Sequence, residues 1–519
     1  MIKSVLAAAI SGACLAVAFP PFQYDLLVWT ALVPLLWSIH NSQNPSQAAF
    51  YGWVSGLVFF LIDVRWIYET LTVHGHLSVH ISILILVTLV IVLAGYFGLF
   101  AFFARFIQRS SGQYWLIFPI CWVGVEYMRT YFWSGFPWDL VGYSLSQRGN
   151  LIQVVDITGV YGLSFLIVFV NSVILETVLN RRTSLGKVLV LLTSGLLLVS
   201  GCYIYAQEKF RHHGEQTNSK PFFTVGILQG AIPQGVKWSE SYRSFTFKKY
   251  EDLAEQSVTA GADLLIWPET SVPVVIGGED LAWMEAVQIS QKLNKPMLIG
   301  APSQTNSAGE INYFNSAFLI DGSEILADYD KIHLVPFGEY MPLAWLLPLG
   351  PGMAAREADF TPGVSMKVLK PPNTPPFSVL ICYEAIFPDL SRMAVNNGAT
   401  FLVNITNDGW FDTSSAPYQH LAMAKFRSIE NRKWLVRSAN TGISAAFNPL
   451  GELVDSIPLG ESGWINVRLT DSTNHVITFY TKYGDVFAWI CIIILILEIL
   501  FTLLRKEKYT GVRNDTFCH

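Results

Sequence analysis

The sequence predicts a polytopic helical membrane domain of about eight spans joined to a layered α/β domain. Composition is the first ground: hydrophobic residues make up 52% of the chain and charged residues 14%, against roughly 25% charged in a soluble globular protein. Segment length is the second. Apolar runs close to the ~20 residues that cross a bilayer recur between residues 4 and 205 and once more at 485–504. The third is the polar stretch between them, 206–483, where short β-branched runs alternate with helical ones. A net charge of −5 leaves no electrostatic footprint for nucleic acid.

Taken in order, the apolar segments are 4–20, 24–40, 47–68, 80–107, 114–131, 155–179, 187–205 and 485–504, some of marginal length. The first also fits a cleaved signal peptide ending near Ala16-Val17-Ala18. Pro20-Pro21 and further apolar sequence follow at once, which favours a span. Lys and Arg collect on cytoplasmic connections. Here they cluster at Lys3, at Arg105 and Arg109, at Arg181, Arg182 and Lys187, and at Arg505, Lys506 and Lys508. With eight spans, all of these clusters fall on one side. Both termini then lie in the cytoplasm and the polar domain on the opposite face, which in a bacterium with an outer envelope is the periplasmic face of the inner membrane. The expected divisions are a membrane domain at 1–205, an extracytoplasmic α/β domain at 206–483, a C-terminal span at 484–505 and a cytoplasmic tail at 506–519.

In the polar domain, 222–228 reads as a buried strand, 242–258 as a helix ended by Gly261, and 263–267 as the next strand. A helix over 280–293 precedes a short strand at 296–300. Asp321-Gly322 between the runs 317–320 and 325–329 predicts a hairpin. Further strands are expected at 377–382, 400–405, 434–439 and 443–447, with helices at 388–396 and 417–431. Residues 370–376 form a stiff proline-rich loop, and no internal repeat is visible. Such a mixture is an α/β or layered α-β-α domain.

Cys382 is the only cysteine of 206–483; Cys14, Cys121, Cys202, Cys491 and Cys518 lie in apolar stretches or at the C-terminus. Outside the cytoplasm thiols tend to pair, so an unpaired one is a candidate nucleophile. A buried core cysteine is the alternative. Glu269 ends a strand, Lys331 lies just past the hairpin, and Cys382 ends its own strand. Acyl transfer needs such a set: a thiolate to attack, a carboxylate to move protons, and an ammonium to stabilise the tetrahedral oxyanion. Spacing alone leaves open a surface carboxylate at Glu269 and a solvated charge at Lys331.

Trp267-Pro268-Glu269, the run Lys331-Ile332-His333-Leu334-Val335-Pro336-Phe337-Gly338-Glu339-Tyr340, and Ile381-Cys382-Tyr383-Glu384 resemble, in this order, the Glu–Lys–Cys signature of the carbon–nitrogen hydrolase (nitrilase) superfamily. The many-span N-terminal part and the single C-terminal span narrow the resemblance to the apolipoprotein N-acyltransferase family, over essentially the whole chain. It implies a nitrilase-like α-β-β-α sandwich, with Glu269 as general base, Lys331 as oxyanion-stabilising cation and Cys382 as nucleophile. Glu339 would support the lysine or the intermediate, meeting Lys331 through a loop because Pro336 and Gly338 break any helix between them. Tyr383 and Glu384 also match residues on which the family's activity depends, the Tyr383 N–H adding to the oxyanion site. Trp238 matches a substrate-pocket tryptophan; an aromatic packing its loop onto the core is the other reading. The implied reaction uses no cofactor. A membrane phospholipid donates an acyl chain to Cys382 as a thioester, and the N-terminal amine of a diacylated apolipoprotein accepts it as an amide.

The run 341–350, containing Trp345, is apolar yet broken by Pro342 and Pro348. It reads as a lid dipping into the lipid interface, with Trp345 a second candidate substrate-binding residue, or else as a buried core turn. Gly350, Gly352 and Gly363 would let it move. Asp63, Arg65, Glu69, Glu126 and Arg129 read as interfacial or structural pairs rather than a proton path. No metal constellation is present: His212-His213 lacks further ligands, and His74, His76 and His80 read as an interfacial loop. A membrane-bound amidase or nitrilase hydrolysing a small C–N bond is the alternative function, although a tether would need only one span. A transporter or an inert envelope scaffold leaves the Glu–Lys–Cys set unused.

Overall fold

In a bilayer, backbone groups find no water, so an apolar run must satisfy them within itself as helix. Each predicted segment is helical: Ile2–Ala16, Asp25–His40, Pro45–Asp63, Val79–Ser111, Tyr114–Tyr131, Val160–Asn180, Leu185–Gln216 and Val486–Asn514. The computed structural model describes residues 1–111, 114–180, 185–216, 221–307, 310–341, 359–470 and 477–514. Among these, five helices rather than eight are long and apolar enough to cross a membrane: Pro45–Asp63, Val79–Gln108, Val160–Asn180, Leu185–His212 and Val486–Arg505. The corrected count has physical causes. Ile2–Ala16 has 15 residues and so spans about 22 Å, short of the roughly 30 Å hydrocarbon core. Asp25–His40 opens with a 3₁₀ turn and is broken into short pieces. Tyr114–Tyr131 carries Pro119, Glu126 and Arg129.

Those two charges are structural. Glu126 Oε1 accepts from the Val141 N–H at 2.8 Å, and Arg129 Nη1 donates to the Trp138 carbonyl at 2.9 Å, tying the helix to the loop beyond it. Helices in the apolar part approach closely where a side chain is missing. A Cβ at Gly52 would stand 2.3 Å from the Phe97 carbonyl oxygen, the small-residue contact that packs helices in lipid.

The chain divides into two compact units, Met1–Arg65 with Ile83–Gln207 and Asp485–His519, and Trp66–Ser82 with Glu208–Gly484. Among its described residues the second unit holds two sheets. Strands β1 (Pro221–Gln229), β2 (Leu264–Ile266), β3 (Met297–Ser307), β4 (Glu310–Asp321), β5 (Glu324–Asp330) and β11 (Gly463–Thr470) form one, in the order β11-β1-β2-β3-β4-β5. Strands β6 (Phe377–Ile381), β7 (Phe401–Thr406), β8 (Trp434–Ala439), β9 (Ser444–Phe447) and β10 (Leu453–Ile457) form the other, in the order β10-β9-β8-β7-β6. The parallel pairs β1–β2, β2–β3, β6–β7 and β7–β8 place several chemistry-bearing strand ends at one edge. The sheets face each other: Ser438 Oγ on β8 donates to the carbonyls of Leu228 and Ile266 in the first sheet. Helices Glu240–Thr259 and Met284–Leu293 cover the first sheet, with Phe247, Tyr250 and Val287 buried against Trp267, Met297 and Ile299. Pro388–Asn396 and Ala416–Asn431 cover the second. The result is an α-β-β-α sandwich. The predicted hairpin forms, with Gly322 at φ +58° in its turn.

By its apolar run, the third span should continue to residue 68. Instead the helix ends at Asp63, and residues 66–74 pack on the turn after β7. Thr70 Oγ1 donates to the Trp410 carbonyl at 3.0 Å, Trp66 meets Phe411 edge-on at 4.8 Å, and His74 Nε2 lies 3.1 Å from Asp412 Oδ2.

Candidate active site

Strand β2 ends in an apolar run that buries Trp267 completely, and Glu269 comes next as the chain turns. Glu269 Oε1 accepts from Asn315 Nδ2 and Oε2 from the Asn407 N–H, each at 2.7 Å. Lys331 follows β5, its backbone N–H donating to the Asn315 carbonyl at 2.9 Å. Its Nζ donates to Glu339 Oε1 at 2.8 Å and lies 3.8 Å from Glu269 Oε1. Glu339 returns through a loop, as Pro336 and Gly338 require, and its Oε2 accepts from the Val335 N–H at 2.8 Å. Cys382 follows β6, is 9% exposed and has φ +51°. That left-handed conformation costs a residue with a Cβ about 1–2 kcal/mol, so the surrounding structure must hold it.

The charges of this buried cluster act on one another. Burial and the Glu269 carboxylate push the Cys382 thiol well above its ordinary range, against the opposing pull of Lys331. The resting thiol is therefore protonated and needs a base before it can attack. Burial opposes the charge on Lys331, but the Glu339 and Glu269 carboxylates hold it firmly as the ammonium. Glu384 sits where β5 and β6 end together. Its carboxylate accepts from the N–H groups of Ile381 (2.7 Å), Ile332 (2.7 Å) and His333 (3.2 Å) and from the Tyr329 hydroxyl (2.9 Å). It thereby clamps the lysine motif to the cysteine motif, and burial raises its pKa to about 7.

The Tyr383 ring packs edge-on against Phe387 at 5.1 Å, while His333 stacks on Phe387 at 3.7 Å. Trp238 is 52% exposed, so packing onto the core does not account for it. Its neighbour Lys237 is buried instead, donating to the Glu269 carbonyl (3.2 Å) and to Thr270 Oγ1 (2.6 Å), and burial lowers its pKa to about 7. Trp345, with residues 342–350 of the expected lid, lies outside the described residues.

Sequence reasoning missed Asn315, Lys237 and Asn407, which grip Glu269 from three elements. It also missed the buried set His420, Asp408 and Arg437 behind Cys382. Asp408 alone carried a signal, as a charged residue just past the end of strand 400–405. Burial resists its charge, but the Arg437 guanidinium, 2.6 Å from Oδ2, holds its carboxyl far below the usual range.

Residues 11–173 match the family described as apolipoprotein N-acyltransferase N-terminal domain, and residues 224–474 match carbon-nitrogen hydrolase. An apolipoprotein N-acyltransferase of Geobacter metallireducens is 37% identical over 500 residues, covering 94% of this chain and 93% of its own. Another, from Methylococcus capsulatus, is 32% identical over 88% of each chain. A variant of the amidase from Nesterenkonia sp. AN1 superposes at 20% identity with a TM-score of 0.38, over 51% of this chain and 94% of its own. Identity of this extent through both the helical and the α/β parts makes the chain a member of the apolipoprotein N-acyltransferase family, within the carbon–nitrogen hydrolase superfamily.

Proposed function

We propose that the chain moves an acyl group from a membrane phospholipid to the N-terminal amine of an S-diacylglyceryl-cysteine apolipoprotein, through a thioester on Cys382. Family membership supports the substrates. One observation carries the chemistry: an ammonium held between two carboxylates, 2.8 Å and 3.8 Å away, beside a buried thiol in a left-handed turn. Glu269 takes the thiol proton, and the thiolate adds to the ester carbonyl. Lys331 stabilises the oxyanion. The C–O bond breaks, Glu269 returns the proton to the departing lysophospholipid alkoxide, and the acyl group stays on sulfur. In the second half the neutral amine adds to the thioester, Glu269 accepts its proton, the C–S bond breaks, and the thiol is reprotonated. Glu339 and Asn315 keep Lys331 and Glu269 in register, Glu384 holds the motifs together, and the Tyr383 N–H adds a donor to the oxyanion site. Trp238 and Trp345 serve the acyl substrates, and no cofactor takes part.

The catalytic domain lies, on this reading, at the periplasmic face of the inner membrane. The two flanking spans support this without any total count: Arg181, Arg182 and Lys187 mark the far end of Leu185–His212, and Arg505 marks the far end of Val486–Arg505.

The test is the intact mass of the purified protein with phospholipid vesicles, for the native chain and Cys382→Ala, before and after adding a diacylated lipopeptide. A hydroxylamine-sensitive acyl adduct on the native protein alone, discharged onto the peptide amine, is the expected result. Discharge to water only would make the protein a membrane-bound hydrolase instead.

A further inference from the structure

Cys382 at φ +51° needs a grip from outside its own turn. The Ala416–Asn431 helix supplies one. His420, 1% exposed, brings Nε2 within 3.0 Å of the Cys382 carbonyl oxygen. A carbonyl only accepts, so Nε2 carries the proton and Nδ1 is the acceptor of a neutral ring. Arg437 Nη2 stands 3.1 Å from that Nδ1. Asp408 Oδ1 is as near, at 3.1 Å, but this carboxylate has donors of its own in Thr406 Oγ1 at 2.9 Å and Arg437 Nη2 at 2.6 Å. Burial and the guanidinium both oppose a positive imidazole, and outweigh the pull of Asp408. The ring is therefore held neutral in one tautomer.

The same network reaches the strand before the nucleophile. Arg437 donates to Asn404 Oδ1, and Asn404 Nδ2 donates to the Leu380 carbonyl at 2.8 Å. The chain is thus gripped at two carbonyls, on either side of Ile381.

A histidine beside a reactive cysteine invites comparison with a thiolate–imidazolium pair. The geometry here is different, because Nε2 addresses the backbone oxygen of Cys382 and Nδ1 addresses Arg437. We propose that His420 is a positioning residue: its Nε2–H fixes the Cys382 carbonyl and so keeps the thiol aimed at Lys331 and Glu269. The inference rests on Cys382 being the nucleophile. Without the donor, the Cys382–Tyr383 peptide can rotate and the backbone relax toward the right-handed region, swinging Cβ and Sγ off line.

The experiment is single-turnover acylation of the full-length protein in detergent, read by intact mass. The donor is vesicles of dipalmitoyl phosphatidylethanolamine and phosphatidylglycerol. His420→Met keeps much of the volume without a donor; His420→Gln places a donor at a similar reach. We expect His420→Met to lower the acylation rate constant about 10–100-fold with an unchanged half-saturating phospholipid concentration. His420→Gln should recover to within tenfold of the native rate, a rescue that mere filling of space would not produce. Native-rate acylation by His420→Met, or a Gln variant as slow as Met, overturns the inference alone. A native protein that forms no adduct overturns the nucleophile reading beneath it. If His420→Met shows no cooperative thermal transition, His420→Gln decides: within tenfold at unchanged Tm supports the role, and a greater loss overturns it.

Discussion

Asn315 carries no charge, yet it joins both carboxylates of the site, its Nδ2 donating to Glu269 and Glu339 at 2.7 Å each. A hydrogen bond to a charged group is worth about 1.5–3 kcal/mol, so Asn315→Ala should slow single-turnover acylation about 10–100-fold while Tm falls little. A rate within threefold of native would show that Lys331 alone keeps the two carboxylates in place. Lys237 offers a pH test. Its amine titrates near 10.5 in an ordinary setting and about 7 in the fold. Between those values the unfolded chain binds the extra proton, so stability rises with pH across this window and is lost as pH falls through about 7. Tm measured from pH 7 to pH 10 should therefore climb more steeply in the native protein than in Lys237→Met, by at least about 3 °C; parallel curves would refute it. Glu269, Lys331 and Cys382 were legible because each sits in a distinctive run at a strand end. Asn315, Lys237, Asn407 and His420 were not, since an amide, a lysine or a histidine acquires its part only from what another strand or helix brings beside it.

At the level of elements, the apolar β-branched runs and the Asp321-Gly322 turn were sufficient for nine of the strands. The two missed were β10 and β11. Strand β11 does alternate, burying Ile465, Val467 and Leu469 between more exposed neighbours, so its period-two signal was present in the sequence. Its pairing with β1, the first strand of the domain, was not. Elements also meet through absent side chains. A Cβ on Gly300 of β3 would stand 2.6 Å from the Pro268 carbonyl oxygen and 2.7 Å from Glu269 Cα. Gly300→Ala should cost about 1–3 kcal/mol and displace the Glu269 turn, so acylation should fall by more than the stability loss explains. Native values of both Tm and acylation rate would mean that the turn yields freely.

For the whole molecule, the orientation proposed for the catalytic domain makes a prediction about thiol access. In spheroplasts, a membrane-impermeant maleimide should label Asn373→Cys, in the loop 370–376, and reach Cys518 only after lysis; the reverse pattern would invert the topology. The sequence by itself determined a chain with an apolar helical part, a separate α/β domain, one thiol within that domain and three ordered motifs, because hydropathy, periodicity and short motifs are local properties. Tertiary structure decided the rest. Among the described residues it set five membrane-length helices where the apolar runs suggested eight, since helix length and breaks depend on where the chain turns. It assigned Trp66–Ser82 to the second unit. It also placed Glu269, Lys331, Glu339 and the Cys382 thiol in one buried cluster, because parallel pairing aligns strand ends far apart in the chain, and only burial makes their charges act strongly on one another.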